Sequence, residues 1–139
     1  MTASEFMTQD PMTVTPRASI AEAWDMMRDL DIRHLPVIED GVLVGMVSDR
    51  DLARLDVARL LSSEGAEALR RELTTAIADI MSSDVVCVEP ETDLSEVVDL
   101  LLEQKVGAIP VVQPDTRALV GIISYIDVLR VLRDLLEEE

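Results

Sequence analysis

Apolar positions along the chain fall into helical and strand-like periods, and the same succession of periods occurs twice. Ile20, Ala23, Trp24, Met27 and Leu30 recur at helical spacing, so the first amphipathic helix is expected to bury them. Leu94, Val97, Val98 and Leu101 predict a second such helix. Ser19 with Glu22, and Asp93 with Glu96, read as capping boxes that start the two helices. Residues 35–38 and 42–47 are apolar runs flanking Asp40-Gly41, a two-residue hairpin signal. The corresponding later hairpin is longer, with Pro114-Asp115-Thr116-Arg117 at its tip. Val14 and Val88 lie in short extended stretches that end before Pro16 and Pro90, and closing helices begin at Ser48 and Ser124. Each copy therefore reads as strand, helix, strand, strand, helix.

The residues agree as well as the periods. Met7 falls on Met81, Asp10 on Asp84, Pro16 on Pro90, Glu22 on Glu96 and Pro36 on Pro110, 74 residues apart. A two-residue insertion in the second hairpin then aligns Gly45 with Gly121, Ser48 with Ser124 and Asp51 with Asp127. This period exceeds the roughly 20–50 residues of solenoid units and suits a small duplicated domain. A crossover of this kind is normally right-handed and leaves its helices on one side of the sheet. The bare sheet faces then need each other. The expectation is an α+β fold of two repeats packed sheet to sheet with pseudo-two-fold symmetry. Repeat one covers residues 1–61, a linker with a short helix 62–74, repeat two 75–135 and an acidic tail 136–139. Ser62-Ser63-Glu64-Gly65 breaks the first closing helix, and residues 66–73 form the polar linker helix.

Composition narrows the function. Hydrophobic residues make up 48% of the chain, which excludes a disordered polymer. No apolar run approaches the ~20 residues of a membrane span. The start, MTASEFMTQD, has neither a basic nor an apolar signal segment. A cytoplasmic protein without a membrane partner is expected. The single Cys87 cannot form an internal disulfide, which suits a reducing compartment. A net charge of −16 argues against nucleic acid, whose phosphates demand a basic stripe.

The candidate chemistry lies in Gly45-Met46-Val47-Ser48-Asp49-Arg50-Asp51 and Gly121-Ile122-Ile123-Ser124-Tyr125-Ile126-Asp127. A strand running straight into a helix offers free N–H groups and a positive dipole end to an anion. A carboxylate there can accept two hydrogen bonds from a ribose diol. The same Ser and Asp also fit a simple capping pair, spent on the helix's own N–H groups. Both readings stand on the residues alone.

Together with Ile32-Arg33-His34-Leu35-Pro36-Val37 and Val106-Gly107-Ala108-Ile109-Pro110-Val111, these stretches resemble the CBS-domain family. The tandem resembles a CBS pair, or Bateman module, over roughly residues 4–135. The resemblance implies two clefts that take adenosine derivatives such as AMP, ADP, ATP or S-adenosylmethionine. One, favoured for phosphate, would combine Ile122, Ser124 and Asp127 with Thr13, Ala18, Ile32, Arg33, His34 and Pro36. The other would combine Met46, Ser48, Arg50 and Asp51 with Cys87, Thr92, Val106, Gly107, Ala108 and Pro110. The preference follows from Arg33 and His34, which supply cations where the second set has Gly107 and Ala108. It also implies a homodimer that buries helix faces such as those around Trp24 and Leu102, and a separate regulated protein.

Several residues keep a plainer reading beside this one. His34 fits a hydrogen-bonded structural histidine, Cys87 a packed thiol, and Arg50 either a solvated side chain or a ligand contact. No second His or Cys stands at metal-ligand spacing, and no nucleophile is paired with a base. The expected function is a non-catalytic regulatory sensor of an adenosyl ligand, requiring no cofactor. A ligand-independent dimerisation or interaction scaffold is the alternative.

Overall fold

The structure is a computed structural model that describes residues 1–53 and 65–138. Ser62, Ser63 and Glu64, expected to break the first closing helix, lie outside the described residues. In chain order the elements are α1 (Ala3–Phe6), β1 (Thr8–Gln9), α2 (Ile20–Leu30), β2 (His34–Glu39), β3 (Val42–Ser48), α3 (Asp49–Ala53), α4 (Gly65–Leu73), a 3-10 turn (Ile77–Asp79), α5 (Leu94–Gln104), β4 (Ala108–Val112), β5 (Leu119–Ser124) and α6 (Tyr125–Glu137). They form two compact units. One holds Met1–Met12, Asp40–Leu43 and Val85–Glu139, the other Thr13–Glu39 and Val44–Asp84.

The duplication is legible side chain by side chain in the two cores. Val14, Ile20, Ala23, Met27, Leu35, Val37, Val47 and Ile77 form the core of one unit. Val88, Leu94, Val97, Leu101, Ile109, Val111, Ile123 and Ala3 take the corresponding places in the other. Helices α2 and α5 both end on a residue in the left-handed conformation, Asp31 and Lys105. Strands β2 and β3 form a two-stranded sheet, and β1, β5 and β4 a three-stranded antiparallel one in that order. The turn between β2 and β3 has Asp40 at φ 52° and Gly41 at φ 79°, the positive pair that a two-residue hairpin demands.

What completes each unit comes from elsewhere in the chain. The first residues of repeat one dock on the body of repeat two, and the first residues of repeat two dock on the body of repeat one. The Ala3 N–H donates to the Thr92 carbonyl at 2.8 Å, as Ile77 does to Ala18 at 2.7 Å. Ser4 donates to the Pro90 carbonyl and Ala78 to that of Pro16. The first N–H of α5, from Leu94, reaches the Met1 carbonyl, as that of α2, from Ile20, reaches Thr75. Each leader then runs along a hairpin edge, pairing Thr8 with Ile122 and Ser82 with Met46.

This docking explains the two glycines of the repeated motif. A Cβ at Gly45 would lie 3.0 Å from the Ser82 carbonyl oxygen, and one at Gly121 would lie 2.9 Å from that of Thr8. The aligned Met81 and Met7 side chains crowd the same two points. Only glycine admits the leader this close.

Four expectations need correction. Trp24 is 41% exposed and Leu30 47%, because α2 turns Ile20, Ala23 and Met27 to the core while Trp24 lies on the flank and Leu30 in the last turn. The stretches at Val14 and Val88 are single parallel bridges, to Val37 and Val111, and not full strands. Ser19 and Glu22 form the capping box, but Asp93 makes no side-chain cap. At α5 the Asp93 backbone carbonyl, in place of its side chain, takes the Glu96 and Val97 N–H groups. The linker helix begins one residue early, at Gly65.

Gly45→Ala and Gly121→Ala should each lower stability by about 1–3 kcal/mol, the usual cost of overpacking a filled site. Urea unfolding should show it as a lower midpoint. Unchanged midpoints would mean that the leaders do not pack against the glycines.

Candidate functional site

The strand-to-helix junctions carry the candidate residues, and each closes on itself in the same way. The Ser124 side chain accepts the Asp127 N–H at 3.3 Å, while Asp127 Oδ2 accepts the Ser124 N–H at 2.9 Å and its hydroxyl at 3.2 Å. Ser48 and Asp51 repeat the pattern at 3.3, 2.8 and 3.1 Å. Both pairs are thus reciprocal helix caps. Capping does not exhaust the carboxylate, because these bonds all fall on Oδ2. The Asp127 side chain is 11% exposed, and its Oδ1 lies 3.7 Å from the Arg130 guanidinium.

In one unit Ala108 stands opposite Ser124 and Pro110 opposite Ile122 across the β4–β5 ladder. The Tyr125 N–H donates to the Gly107 carbonyl, drawing Gly107, Ala108, Ser124 and Asp127 together. Cys87, next to the bridging Val88, is a half-buried free thiol. Thr92 spends its hydroxyl on the Glu89 N–H and its carbonyl on Ala3. Val106 is exposed.

The other unit assembles Thr13, Ala18, Ile32, Arg33, His34, Pro36, Met46, Ser48, Arg50 and Asp51. Val14, beside Thr13, bonds to Pro36, and the Ala18 carbonyl accepts the Ile77 N–H. The Asp49 N–H donates to the Arg33 carbonyl at 2.9 Å, the counterpart of Tyr125 to Gly107. Here the side chains meet too: Arg33 Nη1 lies 3.8 Å from Asp49 Oδ2. Arg50 is exposed on the first turn of α3. Met46 is buried, with its backbone committed to Ser82.

His34 opens β2 and is half-buried. Burial pushes its imidazole pKa below the ordinary value, an effect that Asp49 and Asp51 oppose and that Arg33 and Arg50 reinforce. At neutral pH it offers a hydrogen bond and no charge, so Arg33 is the cation of this strand end. The sequence did not single out Asp49 or Arg130. Arg130 could have been found from its helical spacing to Asp127. Nothing local ties Asp49 to Arg33. Among the described residues no cluster of His, Cys, Asp or Glu could hold a metal ion, and no helix is long and apolar enough to cross a membrane.

Two units with matched cores, each ending a hairpin in a Ser-x-x-Asp cap, define a duplicated α+β module. The model of the CBS domain matches residues 3–58 and 77–134, and the chain belongs to the CBS-domain family as a tandem pair. It is 31% identical over 121 residues to the CBS domain-containing protein YhcV of Bacillus subtilis, covering 87% of this chain and 78% of that one. It is 29% identical to the inosine-5'-monophosphate dehydrogenase of Methanocaldococcus jannaschii over 92% of this chain, which spans only 23% of that enzyme. Among solved structures it resembles CBSX2 of Arabidopsis thaliana in complex with AMP, with TM-score 0.80 and 31% identity over 96% of this chain and 97% of that one. The CBS domain pair of protein MJ0100, in complex with 5'-methylthioadenosine and S-adenosyl-L-methionine, has TM-score 0.77 and 25% identity over 95% of this chain and 99% of that one.

A folded-state pKa below the unfolded value means that the unfolded chain takes up the His34 proton first as pH falls. The stability tied to His34 is therefore intact above the unfolded value of 6.5 and is lost as pH drops through it. His34 is the only histidine, so urea stability should decline between about pH 7 and pH 5.5, above the ordinary carboxylate range. The decline should flatten in His34→Gln. An equal decline in the variant would contradict the assignment.

Proposed function

We propose that the chain is a non-catalytic regulatory module that senses an adenosine-containing ligand, either an adenine nucleotide or S-adenosylmethionine. The observation that carries the reading is the Ser124–Asp127 junction. Its caps load one carboxylate oxygen, while the other takes no cap hydrogen bond and lies 3.7 Å from Arg130, and on this reading it accepts from a ribose diol. The AMP complex of CBSX2 supports the ligand class. On this reading the Ser124–Asp127 carboxylate is an acceptor for a ribose, and Arg33 is a cation for a phosphate. Asp51 on this reading marks a weaker site or one for a less anionic ligand.

The module works as a homodimer and acts on a separate protein. Trp24, Leu30, Leu102, Leu129, Leu132 and Leu136 are exposed large apolar residues of α2, α5 and α6, which suits burial against another chain. The same residues favour a second reading, a ligand-independent interaction scaffold whose Ser and Asp residues act only as caps.

A thermal-shift panel of AMP, ADP, ATP and S-adenosylmethionine separates the two readings. A native-state ligand at 100 times its Kd adds about 2.7 kcal/mol of stability, a readily measured rise in Tm. Asp127→Ala should abolish the AMP response, and Asp51→Ala should retain it. A flat panel would favour the scaffold, and loss of the response only in Asp51→Ala would reverse the ranking of the sites.

A further inference from the structure

Repeat one carries an ion pair that repeat two lacks at both ends. The backbone bond from residue 49 to residue 33 recurs as that from 125 to 107, yet Arg33 and Asp49 are answered by Gly107 and Tyr125.

The same two side chains line a groove of about 320 Å³, together with Trp24, Met27, Ile32 and Leu52. Arg28 also borders it but is paired to Asp25 and Asp29 at 3.0 and 3.4 Å. Arg33 thus stands between the strand end that includes His34 and a half-charged groove containing the chain's single tryptophan.

We infer that Asp49 is a positioning residue that holds Arg33 at this groove, and that an anion drawing Arg33 off Asp49 changes the groove around Trp24. The inference rests on the reading of Arg33 as the phosphate contact. Its physical basis is the weakness of the present pair. Arg33 and Asp49 are 68% and 48% exposed and 3.8 Å apart, an arrangement that holds loosely in water. A phosphate offers a guanidinium paired, charge-assisted hydrogen bonds, which are stronger. Moving Arg33 leaves the Asp49 carboxylate uncompensated in a groove that already contains Asp31. Ligand occupancy would then be written into the charge of a second surface.

Trp24 is 41% exposed, so its emission reports on the groove. The protein is titrated with AMP, with pyrophosphate and with adenosine while Trp24 emission and Tm are followed together. AMP and pyrophosphate should shift the emission, and adenosine should not. Asp49→Asn should show shifted emission without ligand and bind AMP about two- to fivefold more tightly, as loss of a weak competing pair allows. Asp49→Glu should restore the original behaviour, which a merely structural role would not. If AMP raises Tm while emission stays constant, or Asp49→Asn binds no more tightly, the switch is wrong and nucleotide binding stands. If AMP leaves Tm unchanged, the nucleotide reading fails. In that case an emission shift with pyrophosphate alone keeps the anion switch, and no shift with either removes it.

Discussion

Each unit depends on a leader peptide that belongs, in sequence, to the front of the other repeat. The leader supplies a buried apolar residue, Ala3 or Ile77, and a backbone partner for the helix N-terminus. It then adds an edge pairing to the hairpin. Without it, α2 and α5 would start on orphaned N–H groups and a hairpin edge would lie open. The requirement for glycine at positions 45 and 121 follows from this approach. The repeated glycine is a packing constraint.

The reciprocal caps that follow those glycines are structural and chemical at once. Ser48–Asp51 and Ser124–Asp127 start their helices with one carboxylate oxygen, which fixes the orientation of the other. Duplication copied this device into both repeats. The cationic side was not copied. Arg33, His34 and Asp49 correspond in the alignment to Gly107, Ala108 and Tyr125, so the two repeats share a capping carboxylate and differ in the charge carried near it. Burial further divides the work in repeat one, since His34 is held neutral and the charge falls to Arg33.

Periodicity and repetition made most of the fold legible. Ile20, Ala23 and Met27 and their counterparts were identified from spacing, and Asp40-Gly41 from turn chemistry. The exchange of leaders was not legible. Met7 aligns with Met81 whichever repeat each docks against, because self-similarity says which residues correspond and nothing about which ones touch. Trp24 lies outside the core of its unit for a related reason: helical spacing marks a broad apolar arc, and only tertiary packing decides where the core ends. At the site, Ser and Asp could be named from sequence because they are local to one helix turn. Asp49 is not local in this way, since its partner Arg33 precedes the β2–β3 hairpin in sequence and Asp49 follows it.

The central claim is that the two repeats kept a common carboxylate but only one anion-binding partner. Isothermal titration of AMP against adenosine tests it most directly. The account predicts one dominant site per chain whose affinity falls when the phosphate is removed. Two equivalent sites, or adenosine binding as tightly as AMP, would contradict it.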